Sequence, residues 1–233
     1  MTHPHTPPRG LFVTGTNTEV GKTYAAALIA RSLRAAGHKV GVYKPAASGC
    51  NDSPSGLISD DAVALWNAAG QSGALHDVCP QLFAAPLAPH LAARAEGKEI
   101  DRDLLLTGIE VWADRCDVVL VEGAGGLLSP LGDDLYVADI ALAMGYPLVV
   151  VASNELGVIN QTLQSLLTAR HYRGGLPVAA VVLNDCRQEK DDLSVASNMQ
   201  QLQLHCDAPV LTHLAHQSEL FRDEIDWLSL ASR

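Results

Sequence analysis

The chain has 233 residues, 16 basic against 26 acidic, for a formal charge of −10, with 48% hydrophobic and 18% charged side chains. So acidic a balance argues against tracking a nucleic-acid backbone, where Lys and Arg must neutralise phosphates, and no run nears the roughly 20 apolar residues of a membrane span. Five cysteines, an odd number with no CxxC spacing, argue against a disulfide framework or a zinc ribbon and imply reduced thiols in a cytoplasmic protein.

Residues 1–9, MTHPHTPPR, are rich in Pro and His without an apolar run, which predicts a disordered leader and not a signal peptide. Two histidines on such a tail, His3 and His5, make a poor metal site. The apolar run 11–14 predicts a buried strand, followed by a Gly-rich loop and a helix over 22–36 that stops at Gly37. A strand over 40–43 and a helix over 61–69 come next. Prolines break 80–89 into a loop, with a short helix over 90–95. Leu104, Leu105, Ile109 and Trp112 share one face of a helix predicted over 101–115.

The clearest strand is 117–122, apolar with Glu122 at its carboxyl end. After it come a helix over 137–144, a strand over 148–152, a helix over 158–172, a strand over 178–183, a helix over 193–204 and a strand over 209–212. Strands alternating with helices are βαβ units, so the fold class is α/β: a doubly wound, mostly parallel sheet with helices on both faces, and the loop GTNTEVGKT after its first strand makes it P-loop NTPase-like. With no repeat or linker, one domain is expected over 10–233.

In such a sheet, ligands bind beyond the carboxyl ends of the strands. Residues 15–23, GTNTEVGKT, sit there between a strand and a helix. Glycines let the backbone curl its N–H groups inward, and the helix N-terminus adds partial positive charge. Lys22 is placed to reach the β- and γ-phosphates and the Thr23 hydroxyl to ligate Mg²⁺. Five residues separate Gly15 from Gly21 where the general pattern has four; the strand–loop–helix context and the intact Gly-Lys-Thr carry the assignment.

Glu122, followed by Gly123-Ala124-Gly125-Gly126, ends its strand where a carboxylate can reach the metal; otherwise it is a capping or solvated acid. Lys44 follows the second strand as a further cation beside the phosphates. Asp61, in Ser59-Asp60-Asp61-Ala62, reads equally as a dipole-favoured helix acid or as a second magnesium ligand.

GTNTEVGKT, Lys44-Pro45-Ala46-Ala47-Ser48-Gly49, Ser59-Asp60-Asp61-Ala62, the segment FAAPLAPH at 83–90 and Val121-Glu122-Gly123-Ala124-Gly125-Gly126 occur in this order. The series resembles the dethiobiotin synthase family over about residues 10–213. The resemblance continues in NELGVIN at 154–160, similar to the family's segment near the dimer interface, and in Asn184-Asp185, which looks like its adenine-recognition pair.

The resemblance implies a ligase using ATP as co-substrate with Mg²⁺, which carboxylates 7,8-diaminopelargonate with CO₂ and closes a ureido ring, in a homodimer without nucleic-acid or membrane partners. It implies roles residue by residue. Lys22 holds the β/γ-phosphates and Lys44 bridges carbamate and γ-phosphate; Thr18 and Ser48 bond the carbamate or amine. Thr23, Asp61 and Glu122 hold the metal. Glu19, Val20, Gly21, Tyr24, Gly123, Ala124 and Gly125 line the nucleotide, and the Asn184 amide both accepts from and donates to adenine, next to Asp185. The chain departs from the family pattern at Ala215-His216, where many relatives carry a Pro-Trp or similar pair, and at Asn17, where Asp is common. The 213–233 stretch matches weakly.

Three rivals fit less well. A partitioning-type ATPase needs a second lysine five places before the loop lysine, and Asn17 stands there. A GTPase metallochaperone needs an Asn-Lys-x-Asp motif, and an amidoligase a further amidotransferase domain. An ATP-binding protein without catalysis is the remaining alternative.

Overall fold

The computed structural model describes residues 8–187 and 192–231. The elements run β1 (Arg9–Gly15), α1 (Lys22–Ala35), β2 (Val40–Tyr43), β3 (Asn51–Ser53), β4 (Gly56–Ile58), α2 (Asp60–Ala68), α3 (Leu75–Val78), α4 (Pro89–Ala95) and α5 (Arg102–Thr107). After a 3-10 turn (Gly108–Trp112) come β5 (Val118–Gly126), α6 (Val137–Met144), β6 (Leu148–Ser153), α7 (Val158–His171), β7 (Val178–Asn184), α8 (Val195–His205), β8 (Val210–Leu214) and α9 (Trp227–Leu230).

Six strands form one sheet in the order β2-β5-β1-β6-β7-β8, with every neighbouring pair parallel. Strands buried on both faces need continuous apolar runs. Leu11, Phe12 and Val13 of β1, Val118, Val119 and Val121 of β5, and Val149, Val150 and Val151 of β6 are all fully buried. The direction in which connections progress across the sheet reverses at β1: the first crossover leads outward to β2, whereas β5 leads across β1 to β6, β7 and β8. Right-handed crossovers therefore put α1 on one face and α6, α7 and α8 on the other. This is the α/β, P-loop NTPase-like architecture expected, and its switch point places the loop after β1 at the ligand-binding edge.

Most element positions agree with the sequence pattern within two residues. The expected leader lies outside the described residues except for its last two, and Arg9 already opens β1. The helix expected over 101–115 is broken: α5 ends at Thr107 and a 3-10 turn follows. The Tyr43 hydroxyl, from β2, donates to the carbonyls of Leu104 (2.7 Å) and Leu105 (3.2 Å) and so competes for the α-helical ladder. Gly108 sits so close to that ring that a Cβ there would lie 3.0 Å from Tyr43 Cζ. The antiparallel pair β3–β4, the short α3 and the short α9 were not expected; strands of three residues are too short to carry a hydrophobic period.

Candidate active site

The loop after β1 is shaped by two glycines. A Cβ at Gly15 would lie 2.7 Å from both the Asn17 carbonyl and Val20 Cγ2, so no side chain fits there. Gly21 takes φ 83° at the N-cap of α1, a left-handed conformation that glycine adopts without strain, and a Cβ there would strike the Asn184 amide. Glu19 also has positive φ, 58°, a strained setting of the kind held at functional sites. No side chain caps α1 and its first turn holds no acid, which leaves the helix's N–H groups open to an anion. Lys22 opens the helix, and its Nζ donates to the Asn17 carbonyl at 3.1 Å.

A lysine–carboxylate cluster lies beside this loop. Lys44, just past β2, is held by its own N–H donating to Val78 O at 2.7 Å. Its Nζ reaches Glu122 Oε1 at 2.5 Å and Asp61 Oδ2 at 2.9 Å. Thr23 Oγ1 donates to the same Glu122 oxygen at 2.9 Å. Asp61 lies in the first turn of α2, whose N-cap Ser59 accepts from Ala62 N at 3.3 Å. The side chains of Lys44 and Glu122 are 5% and 1% exposed, and Glu122 Oε2 is buried without a hydrogen-bond partner.

These surroundings set the charges. Burial works against the Lys44 ammonium, but Glu122 and Asp61 together outweigh it and raise its pKa. Burial likewise disfavours the Asp61 carboxylate, and Lys44, Thr23 and Lys22 more than offset this, so its pKa falls below the usual range. At Lys22 burial is the largest influence and lowers the pKa; Lys44 adds to the lowering, while Glu122 and Asp61 oppose it. All the donor atoms of Thr23, Asp61 and Glu122 are oxygens, one of them unpartnered, which fits a hard cation such as Mg²⁺. Among the described residues no three His, Cys, Asp or Glu side chains gather as a metal site, so such an ion would draw on these two carboxylates and the hydroxyl.

A cavity of about 580 Å³ opens onto the cluster and is lined by Thr18, Glu19, Lys22, Lys44, Ser48, Asp61, Gly123, Ala124 and Gly125. Its further wall is Ala46, Ala47, Pro86, Leu87, Ala88, Pro89 and Pro130. Charged and apolar side chains therefore share its wall. A hollow of similar size, about 610 Å³, lies beside α7 and the β8 edge, mostly between leucines. It holds no comparable group of charged side chains turned inward, since its Arg170 pairs with its own Asp207 at 3.3 Å.

Asn184 is the last residue of β7 and Asp185 follows it. Asn184, 2% exposed, donates from Nδ2 to Val20 O at 3.0 Å and to Cys186 Sγ at 3.1 Å, and its Oδ1 is buried without a partner. In this arrangement the amide N–H groups face partners within the protein, and the oxygen is the atom left for a ligand. Asp185 Oδ1 accepts from Asn154 Nδ2 at 2.7 Å and lies 3.0 Å from His213 Nε2. His216 Nδ1 is 3.1 Å from the Asp185 carbonyl.

The structure thus gathers Thr18, Glu19, Lys22, Thr23, Lys44, Ser48, Asp61, Glu122, Gly123, Ala124 and Gly125 around one cavity or its metal-fitting cluster, with Val20 and Gly21 in the loop wall. Tyr24 is not on the cavity wall; its hydroxyl donates to the Ser218 carbonyl and ties α1 to the segment after β8. Sequence reasoning missed Asn154, Asn198 and His213, which support Asp185. Nothing in the pattern of a lone Asn or His marks it for such a role.

Comparison with known proteins agrees with this geometry. An AAA domain family model matches residues 9–223. The ATP-dependent dethiobiotin synthetase of Rhodopirellula baltica is 39% identical over 218 residues, 89% of this chain and 84% of its own. That of Anaeromyxobacter dehalogenans strain 2CP-C is 46% identical over 195 residues, 83% of this chain and 84% of its own. The chain belongs to the dethiobiotin synthetase family. That family is one of ATP-dependent ligases, and a further member, from Escherichia coli O157:H7, is 38% identical over 174 residues, 75% of this chain and 76% of its own.

Among solved structures, the signal recognition particle receptor FtsY of Elizabethkingia anophelis in complex with GDP aligns with a TM-score of 0.56 at 16% identity, covering 99% of this chain and 64% of that one. A putative plasmid partition protein of Borrelia burgdorferi bound to AMPPNP aligns at 0.52 and 12%, covering 96% of this chain and 94% of that one. At such identities the likeness concerns the fold, which dethiobiotin synthetases share with proteins of other function.

Proposed function

We propose that this chain is a dethiobiotin synthetase acting in biotin biosynthesis: it carboxylates 7,8-diaminopelargonate with CO₂ and closes the ureido ring at the expense of ATP. The observation that carries the reading is the buried Lys44 between Asp61 and Glu122, at the mouth of a cavity shared with the phosphate loop. One substrate amine attacks CO₂ to give a carbamate. A carbamate oxygen attacks the γ-phosphorus, ADP leaves, and a carbamic-phosphoric anhydride forms. The second amine attacks its carbonyl carbon and expels phosphate, giving the cyclic urea.

Two anions must meet for this, so cations have to offset their repulsion. Lys22 holds the β/γ-phosphates, and Lys44 lies between the carbamate and the γ-phosphate. Thr18 and Ser48 bond the carbamate or amine, and the apolar wall from Ala46 to Pro130 receives the alkyl chain. Thr23, Asp61 and Glu122 hold Mg²⁺, which when bound neutralises part of the triphosphate charge. Asn184 Oδ1 accepts from the adenine 6-amino group. A buried oxygen without a partner costs about 1–3 kcal/mol, which that bond removes. Guanine turns its own carbonyl oxygen there, so the reading favours ATP over GTP.

The reading includes a cytoplasmic homodimer. Supporting it are the five free thiols and Leu156, 80% exposed in the 154–160 segment; no helix of the described residues is long and apolar enough to cross a membrane. The deciding test is incubation of the pure protein with diaminopelargonate, bicarbonate, Mg²⁺ and ATP, with mass detection of dethiobiotin. Bound ATP without product would overturn the proposal, and equal turnover with GTP would remove Asn184 as the base reader.

A further inference from the structure

We propose that Asn198, on α8, is a positioning residue for nucleobase recognition, acting through Asn154 on the Asn184–Asp185 pair. The inference rests on the reading that this pair faces the base. Asn198 is 3% exposed within an eleven-residue helix, an unfavourable place for an amide, since burial needs every polar atom partnered and a helix interior favours other side chains. Its Nδ2 donates to Asn154 Oδ1 at 2.9 Å and Glu155 O at 3.3 Å, across from α8, and lies 3.2 Å from Oγ of Ser194, the N-cap of its own helix.

Asn154 is the link. Its backbone N–H donates to Asn184 O at 2.8 Å and its Nδ2 to Asp185 Oδ1 at 2.7 Å, so one residue braces both members of the pair. An amide can sit either way round, and its partners decide which. The Asn198 donor holds the Asn154 oxygen towards α8 and so turns the Asn154 NH₂ towards Asp185. With that donor gone, the Asn154 oxygen is left without its partner, and an acceptor at position 198 competes with Asp185 for the Asn154 NH₂, so the brace on the pair loosens. His213 Nε2 lies 3.0 Å from the same Asp185 oxygen. With Oδ1 so engaged, Oδ2 is the acceptor left for a ligand.

The test separates the base from the phosphates by comparing calorimetric affinities for ATP and for inorganic tripolyphosphate, which has no base. Asn198→Asp is isosteric but removes the donor. It is expected to weaken ATP about 5- to 10-fold while leaving tripolyphosphate within about twofold. Asn198→Gln, which keeps the amide donor, should recover part of the loss. Equal weakening of both probes, or of neither, overturns the proposal. Asn184→Ala distinguishes the levels: if it shifts the ATP-to-tripolyphosphate ratio and Asn198→Asp does not, the relay fails alone; if neither shifts it, the base-facing reading fails too. Should Asn198→Asp not fold, Asn198→Leu removes the donor without adding charge and is held to the same outcomes.

Discussion

Lys44 occupies an expensive position. A buried ammonium is tolerable only with carboxylates at hand, and Glu122 and Asp61 supply them at 2.5 and 2.9 Å. Replacing it with Ala should lower kcat by about 10²-fold or more, because the charge it supplies matters most as the anions meet; steady-state turnover with an unchanged circular dichroism spectrum checks this. Asp61 gives a pH signature. Its folded pKa lies below the ordinary 3.8, so its contribution to stability is present above about pH 4 and is lost as pH falls through the folded value. Asp61→Asn should therefore lower the urea midpoint at pH 7, and the gap from wild type should narrow as the pH falls below the ordinary carboxylate range. Lys22, Lys44, Thr23 and Glu122 were legible in the sequence because strand ends and a Gly-Lys-Thr loop locate chemistry. Asn154, Asn198 and His213 were not, since their partners lie tens of residues away and no spacing announces them.

Helices and strands follow local pattern except where another segment interferes. The residues of 101–115 have a helical period throughout, yet the hydroxyl of Tyr43 takes two carbonyls and ends α5. Tyr43→Phe should cost about 1 kcal/mol in urea unfolding through the lost hydrogen bonds. At the start of α1, Gly21 combines positive φ with a close approach to Asn184. Gly21→Ala should destabilise the fold by about 1 kcal/mol or more and weaken ATP binding as well, measured by denaturation and calorimetry on one preparation. The long apolar strands were readable because burial on both faces demands uniform hydrophobicity. The β3–β4 hairpin was not, because each strand is only three residues long and shows no alternation.

Across the whole molecule, β1 divides the sheet. On one side β5 and β2 carry Glu122 and Lys44; on the other β6, β7 and β8 lead to Asn154, Asn184, Asp185 and His213. Mutations without shared partners combine additively within about 0.5 kcal/mol. A double-mutant cycle on ATP affinity with Lys44→Ala and Asn198→Asp should accordingly show a coupling no larger than that, whereas Asn184, bonded to Val20 in the phosphate loop, should couple to both wings. The fold of this sheet was readable from its alternating elements, but its division into two wings was not, because strand order is set by crossovers that leave no mark on composition. That division bears on how such a protein can diverge. If the proposed roles hold, a lineage can rewrite which nucleotide it consumes by changes confined to the β6–β8 wing, and inherit the half that carries Lys44 and Glu122 untouched.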